Sequence, residues 1–165
     1  SHDAGLKVAA LAGSTKHALA HVENGVDIVI AQGGEAGGHT GEVATMVLVP
    51  EIIRALDGRA PVLAAGGLGD GTQVAAVVGM GAQGAWMGSR WLTAAEYAED
   101  GGSKAMQKAL LAATSRDTVR SRIYSGKPAR LLKTKWTDAW DAPNAPPRAI
   151  AAGLPSRRSS PAPHR

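Results

Sequence analysis

The chain has 165 residues, 44% of them hydrophobic, which is enough for one domain of ordinary size with a buried core. It contains no cysteine, which excludes disulfides, zinc–thiolate sites and cysteine nucleophiles and fits a reducing, cytoplasmic setting. The net charge of +4 does not indicate a nucleic-acid partner, because four of the 18 basic residues lie in the acid-free segment 148–165 and the other 14 balance 14 acidic residues.

The first 95 residues predict alternating strands and helices. Strands are expected at residues 7–11, 26–31, 61–65 and 84–87. Ser14 is expected to cap a helix that runs to about residue 24 and ends at Gly25, Pro50 is expected to open a helix to residue 56, and a third helix is expected at 72–78. The strands are apolar throughout, which indicates burial on both faces and a parallel sheet of βαβ units. Four such units are too few for an eight-stranded barrel, so the pattern predicts a small open sheet or half of a barrel.

The pattern changes after Glu96. Residues 103–113 predict an amphipathic helix, residues 118–130 are mixed, and Trp136 and Trp140 stand four residues apart on an expected helical turn. We therefore expect one domain at residues 1–141. Residues 142–165 are rich in Pro, Ser and Arg, and we interpret them as a linker-like or disordered tail. No apolar run approaches the ~20 residues of a membrane span, so no membrane partner is expected.

Two dipeptides that contain glycine predict a phosphate site. Gly66-Gly67 and Gly88-Ser89 directly follow the third and fourth predicted strands. In (β/α)8 barrels the loops after the last two strands commonly bind phosphate through backbone N–H groups, and glycine lets the backbone approach the oxygens. The alternative is that these glycines only turn the chain.

A second glycine pattern carries less weight. Gly79, Gly81 and Gly84 spell G-x-G-x-x-G, but they follow a predicted helix and open a strand, the reverse of the dinucleotide-binding order.

The loop at residues 32–41 holds a candidate base, His39, among glycines that expose it. Imidazole titrates near neutral pH, which suits a general base, although a lone histidine is more often structural. Glu35 either orients the imidazole or is a salt-bridge or solvent residue.

His17 and His21 have a metal-like spacing on a helix, but no third ligand stands near, so we interpret them as surface residues and expect no metal.

Four stretches in this order resemble the nitronate monooxygenases, formerly called 2-nitropropane dioxygenases. They are AQGGEAGGHTG, VLAAGGLGDG, AWMGSRWL and SGKPAR, and the resemblance covers roughly residues 5–145. It implies an α/β fold, the C-terminal half of an FMN-binding TIM (β/α)8 barrel with the strands here as the fifth to the eighth. It also implies oxidation of alkyl nitronates or nitroalkanes with O2 to a carbonyl compound and nitrite.

The same resemblance implies roles for individual residues. His39 corresponds to the histidine that faces the flavin and serves as the base. The implied FMN contacts are Gln32, Gly37, Gly66, Gly67, Trp86, Met87, Gly88 and Ser89, with Ser89 where the family more often has Thr.

Two alternatives stay open. The loops are also similar to those of the flavin-dependent enoyl-acyl-carrier-protein reductases, which use NAD(P)H. A non-catalytic flavin- or phosphate-binding half barrel is the other alternative, and it would pair with a second copy as a homo-oligomer to cover its apolar edges.

Overall fold

The computed structural model describes residues 2–143. The tail expected at residues 142–165 therefore lies outside the described residues except for its first two. In chain order the elements are β1 (Ala9–Ala12), α1 (Thr15–Glu23), β2 (Ile28–Gln32), β3 (Gly38–His39), α2 (Thr45–Leu56), β4 (Val62–Ala65), α3 (Gly71–Gly79), β5 (Gly84–Trp86), α4 (Ala95–Glu99), α5 (Lys104–Ala112), β6 (Thr118–Ser121), β7 (Ala129–Leu132) and α6 (Lys135–Asp141). Short 3-10 helices lie at His2–Ala4, Trp91–Thr93 and Ser115–Asp117.

The main sheet is parallel, as the apolar strands predict. It has four strands in the order β1-β2-β4-β5. Helix α2 packs on β2 and β4, α1 on β1 and β2, and α3 on β5, so these three helices form one layer against the sheet. The core between the layers is mostly apolar, and its largest buried side chains are Leu48, Ile52, Leu56, Val29, Val49 and Val62.

The ends of α1 follow the expected capping residues. The Ser14 hydroxyl accepts a hydrogen bond from the backbone N–H of His17 at 3.3 Å, and Gly25 has a φ of +82° just beyond the helix. This left-handed conformation is the one that glycine adopts without strain after a helix.

The first two strands begin later than predicted, at Ala9 and Ile28, because a carboxylate organises the residues before them. Asp27 accepts hydrogen bonds from the amide of Val8 at 2.8 Å and from Lys7 Nζ at 2.9 Å, and its Oδ2 lies 2.8 Å from His2 Nε2. These contacts lower the pKa of the Asp27 carboxyl, and the hydrogen bond from Val8 is the largest cause. The carboxylate therefore ties β1 to the start of β2.

The prediction that Pro50 opens α2 is wrong. The helix begins at Thr45, and Pro50 lies inside it. Its first turn is held from outside, because Glu35 Oε2 accepts a hydrogen bond from the Thr45 amide at 2.9 Å. A carboxylate at a helix N-terminus satisfies an amide that has no partner within the helix and interacts favourably with the helix dipole. Proline alone therefore does not mark the start of this helix.

The mixed segment forms a second, antiparallel sheet that the sequence did not predict. Its three strands have the order β3-β7-β6. Gly38 pairs with Arg130 and His39 with Ala129, so the short strand after β2 is held by the hairpin formed by β6 and β7. The helical turn expected at Trp136 and Trp140 is present as α6.

Every helix among residues 2–143 is too short or too polar to cross a bilayer.

Candidate active site

The loops after three parallel strands meet at one edge of the main sheet. Gln32 is in register with Ala65, and Ala65 with Trp86, so β2, β4 and β5 end side by side. Their loops line a cavity of about 350 Å3. All eight residues that the resemblance implied as FMN contacts line it: Gln32, Gly37, Gly66, Gly67, Trp86, Met87, Gly88 and Ser89.

Glycine is required where these loops approach one another. Gly66 has a φ of +105°, and a Cβ there would lie 3.0 Å from both the Ala36 amide nitrogen and Thr45 Oγ1. A Cβ on Gly37 would lie 2.6 Å from Ser89 Oγ. Side chains at these positions would force the loops apart, so the glycines bring the backbone to the cavity surface.

The cavity has backbone donors without partners. Among residues 2–143, the amides of Gly67, Gly88 and Ser89 donate to no acceptor. The carbonyl of Gly67 is engaged on the other side, where it accepts from Gln73 Nε2 at 2.7 Å. Free N–H groups from successive loops are the arrangement that binds phosphate oxygens.

The α3 capping box supports this loop. The Asp70 carboxylate accepts from the amides of Thr72 and Gln73, and the Gln73 carboxamide oxygen accepts from the amides of Gly69 and Asp70. Hydrogen bonds from the Thr72 side chain and then the Gln73 amide lower the pKa of the Asp70 carboxyl. The D-x-x-Q spacing is a recognisable signal in the sequence, although our reading of the chain did not use it.

Glu35 does not orient His39. Its carboxylate lies at Thr45 instead, with Oε2 2.9 Å from the Thr45 amide nitrogen and 3.0 Å from Thr45 Oγ1. Thr45 is buried, and its hydroxyl also lies 3.0 Å from the Gly66 carbonyl oxygen. Glu35 and Thr45 thus connect the loop after β2, the start of α2 and the loop after β4. Sequence reasoning missed Thr45, because no local pattern signals a contact over 21 residues.

His39 is exposed and does not line the cavity; it belongs to the second sheet, two residues after Gly37, which does line the cavity. Its Nε2 lies 2.5 Å from Ser125 Oγ, and its ring centroid lies 6.1 Å from that of Tyr124. Arg120 holds Thr40, the residue after His39, because its Nε donates a hydrogen bond to Thr40 Oγ1 at 3.3 Å. Sequence reasoning missed Ser125, although it falls in the SGKPAR stretch that supported the resemblance.

Arg130 is a further residue that sequence reasoning did not single out. It is half-buried and lines the cavity. Its Nε donates to the Gly34 carbonyl at 3.0 Å and its Nη1 to Thr118 Oγ1 at 3.1 Å. The cavity therefore has a cation at its wall as well as free amides.

The two helical histidines form no metal site. His21 Nε2 lies 3.0 Å from the Leu11 carbonyl oxygen. No group of three or more His, Asp or Glu side chains among residues 2–143 is placed to hold a metal ion.

A parallel sheet with a glycine-lined cavity at the carboxyl ends of its strands is the usual arrangement of a ligand site in an α/β enzyme. Residues 1–161 match the model of the nitronate monooxygenase family, and the chain belongs to that family of oxidoreductases. Its members and structural neighbours are TIM-barrel flavoenzymes.

Three similar proteins illustrate the relationship. A protein of Mycobacterium tuberculosis described as a monooxygenase is 56% identical over 146 residues, covering 88% of this chain and 38% of its own length. FabK from Thermotoga maritima is 36% identical, with a TM-score of 0.72 over 82% of this chain and 42% of that one. Nitroalkane oxidase from Streptomyces ansochromogenes is 33% identical, with a TM-score of 0.74 over 82% of this chain and 41% of that one. The chain thus spans about two fifths of the length of these proteins.

Proposed function

We propose that this chain is the C-terminal half of an FMN-binding (β/α)8 barrel that oxidises alkyl nitronates and nitroalkanes with O2 to a carbonyl compound and nitrite. The observation that carries the proposal is the meeting of the loops after β2, β4 and β5 around one cavity lined by glycine backbone. Membership of the nitronate monooxygenase family supports the reaction.

The residues at the cavity fit FMN. The unpartnered amides of Gly67, Gly88 and Ser89, with the Ser89 hydroxyl, supply donors for a phosphate group. Gln32 offers a carboxamide, and Trp86, which is 51% exposed, offers an aromatic face at the same cavity. FMN, when bound, supplies the electron transfer, and the protein supplies position and proton transfer.

His39 is the proposed base. When Nε2 donates to Ser125 Oγ, the proton is held at Nε2 and Nδ1 carries the lone pair. Nδ1 has no hydrogen-bond partner among residues 2–143, so it is open to accept the proton from the carbon next to a nitro group. The hairpin of β6 and β7 orients this imidazole, because it provides Ser125 and the backbone partner of His39.

A half barrel would account for an apolar side chain that is exposed on an edge strand of the main sheet. Helices α1, α2 and α3 cover one face, while Ile30 on the other face is 2% exposed and its register neighbour Leu11 on edge strand β1 is 50% exposed. An apolar residue on an open edge strand is a candidate for burial by further strands. Four preceding strands would bury it and close the barrel.

The proposed reaction is tested by mixing the FMN-loaded protein with a primary nitronate and measuring nitrite release and O2 consumption. We expect both, without any requirement for NAD(P)H. NAD(P)H oxidation coupled to reduction of an enoyl thioester, without nitrite, would instead favour the reductase. FMN binding without either reaction would favour the non-catalytic half barrel and contradict the proposed activity.

A further inference from the structure

A second, largely apolar groove opens beside the glycine-lined cavity. It lies between α5 and the segment from the end of β7 into α6, and its volume is about 920 Å3. Met106 and Ala109 of α5 line one side, and Leu132 and Trp136 line the other. This volume lies within the range of small-molecule pockets, ~300–1,000 Å3.

The groove is continuous with the first cavity. Gly37, Gly88, Ser89, Arg130 and Leu131 line both spaces. A molecule bound in the first cavity can therefore extend directly into the groove.

Arg130 carries the only charged side chain that lines the groove within residues 2–143. Its two hydrogen bonds go to neutral oxygens, those of Gly34 and Thr118. Over the same part of the chain it forms no salt bridge, and its Nη2 donates to no acceptor. The other charged residue at the first cavity, Glu35, is engaged with Thr45. A half-buried guanidinium without a carboxylate partner is suited to bind a planar pair of anionic oxygens.

We propose that Arg130 and this groove together select an amphiphilic oxyanion, a nitronate with an apolar chain of several carbons. The guanidinium binds the two nitronate oxygens, which have the planar geometry of a carboxylate, and the groove binds the chain. The proposal rests on the proposed function, because it identifies the class of nitronate that the same site accepts.

Carboxylates test the recognition without turnover. Acetate, hexanoate and hexanamide are titrated calorimetrically into the protein with and without FMN. Burial of each methylene is worth about fourfold in affinity, so we expect hexanoate to bind on the order of 100-fold more tightly than acetate. Hexanamide has the chain without the charge, and we expect it to bind at least about 10-fold more weakly than hexanoate, because the charge-assisted hydrogen bond is absent.

Two pairs of variants separate recognition from folding. Arg130→Gln should weaken hexanoate binding by about 10- to 100-fold, whereas Arg122→Gln should not. Arg122 lies in the same hairpin, donates to the Gly126 carbonyl and lines neither space. Ala109→Phe, which fills the groove from an exposed helix position, should abolish the preference for hexanoate over acetate, whereas Ala112→Phe on the same helix should preserve it.

Equal binding of acetate and hexanoate, or equal effects of the two arginine variants, would overturn the proposal. So would an Arg130→Gln variant that loses FMN affinity and keeps hexanoate affinity, because the guanidinium would then serve the cofactor phosphate. The carboxylate titrations do not depend on turnover. If carboxylate binding depends on chain length but the separate assay finds no nitrite release, only the proposed reaction is contradicted.

Discussion

At the residue scale, the proposed proton transfer depends on His39, which the second sheet holds two residues beyond the cavity-lining Gly37. We predict that His39→Asn keeps its FMN but oxidises neutral nitroalkanes about 100- to 10,000-fold more slowly, the usual contribution of a general base. Nitronates have already lost the proton from carbon, so their oxidation should change much less. The measurement is kcat/KM for both forms of one substrate.

Ser125→Ala is the companion variant for His39. It removes the oxygen that lies 2.5 Å from Nε2 and leaves the imidazole in place. Its effect on the neutral substrate should be smaller than that of His39→Asn. Equal losses on the neutral and anionic substrates in His39→Asn would mean that His39 has a structural role.

Thr45 is the second residue on which the site depends. Thr45→Val keeps the shape of this buried side chain but removes the hydroxyl that lies 3.0 Å from both Glu35 Oε2 and the Gly66 carbonyl oxygen. An unsatisfied buried polar group costs about 1–3 kcal/mol, so the free energy of unfolding should fall by that amount. FMN affinity should fall as well, because Thr45 positions the Gly66–Gly67 loop. Denaturant unfolding and FMN titration measure the two effects, and Thr45→Ser should restore both.

At the element scale, the predicted and unpredicted parts differ in the range of the interactions that form them. Apolar runs such as residues 28–32 and local caps such as Ser14 and Gly25 determine β2 and α1 within a few residues of sequence. The start of α2 depends on Glu35, ten residues away, so Pro50 was misleading. The partner of β3 lies some 90 residues further on, and no local pattern identifies it.

The residues of the site also divide into those that local sequence identifies and those that depend on contacts between distant parts of the chain. The glycines are recognisable in the sequence because close backbone approach needs that residue type. Thr45, Ser125 and Arg130 act through tertiary contacts, and residues of these types are common on any surface.

The connection between β1 and β2 should weaken in acid. Contacts lower the pKa of Asp27 in the folded protein, so the unfolded chain takes up the proton first as the pH falls. The stability that this carboxylate contributes is full above its unfolded pKa of about 3.9 and is lost as the pH falls below it. We expect Asp27→Asn to have a lower Tm than the parent at about pH 6. The difference in Tm between the two proteins should become smaller as the pH falls to about 3. Asp141→Asn is the control, since that side chain makes no hydrogen bond among residues 2–143. A difference in Tm that is independent of pH would contradict this account.

At the scale of the whole molecule, the parallel sheet and the antiparallel hairpin have separate tasks. The loops after β2, β4 and β5 form the glycine cavity, and β6 and β7 hold His39 and Arg130 at its side. The main sheet has unpaired edges at β1 and β5 among residues 2–143, which agrees with the proposed half barrel. The central claim is that this cavity binds FMN.

The most direct test is the FMN affinity of Gly88→Val. A Cβ at Gly88 would meet no atom within 4 Å and its φ is not positive, so the variant should fold with the Tm of the parent while its side chain enters the cavity. Gly71→Val is the matched control, because a Cβ there also meets nothing but Gly71 does not line the cavity. We predict that Gly88→Val binds FMN at least about 10-fold more weakly, a loss of ~1.4 kcal/mol, and that Gly71→Val binds it as the parent does. Parent-like FMN affinity in a folded Gly88→Val variant would contradict the account.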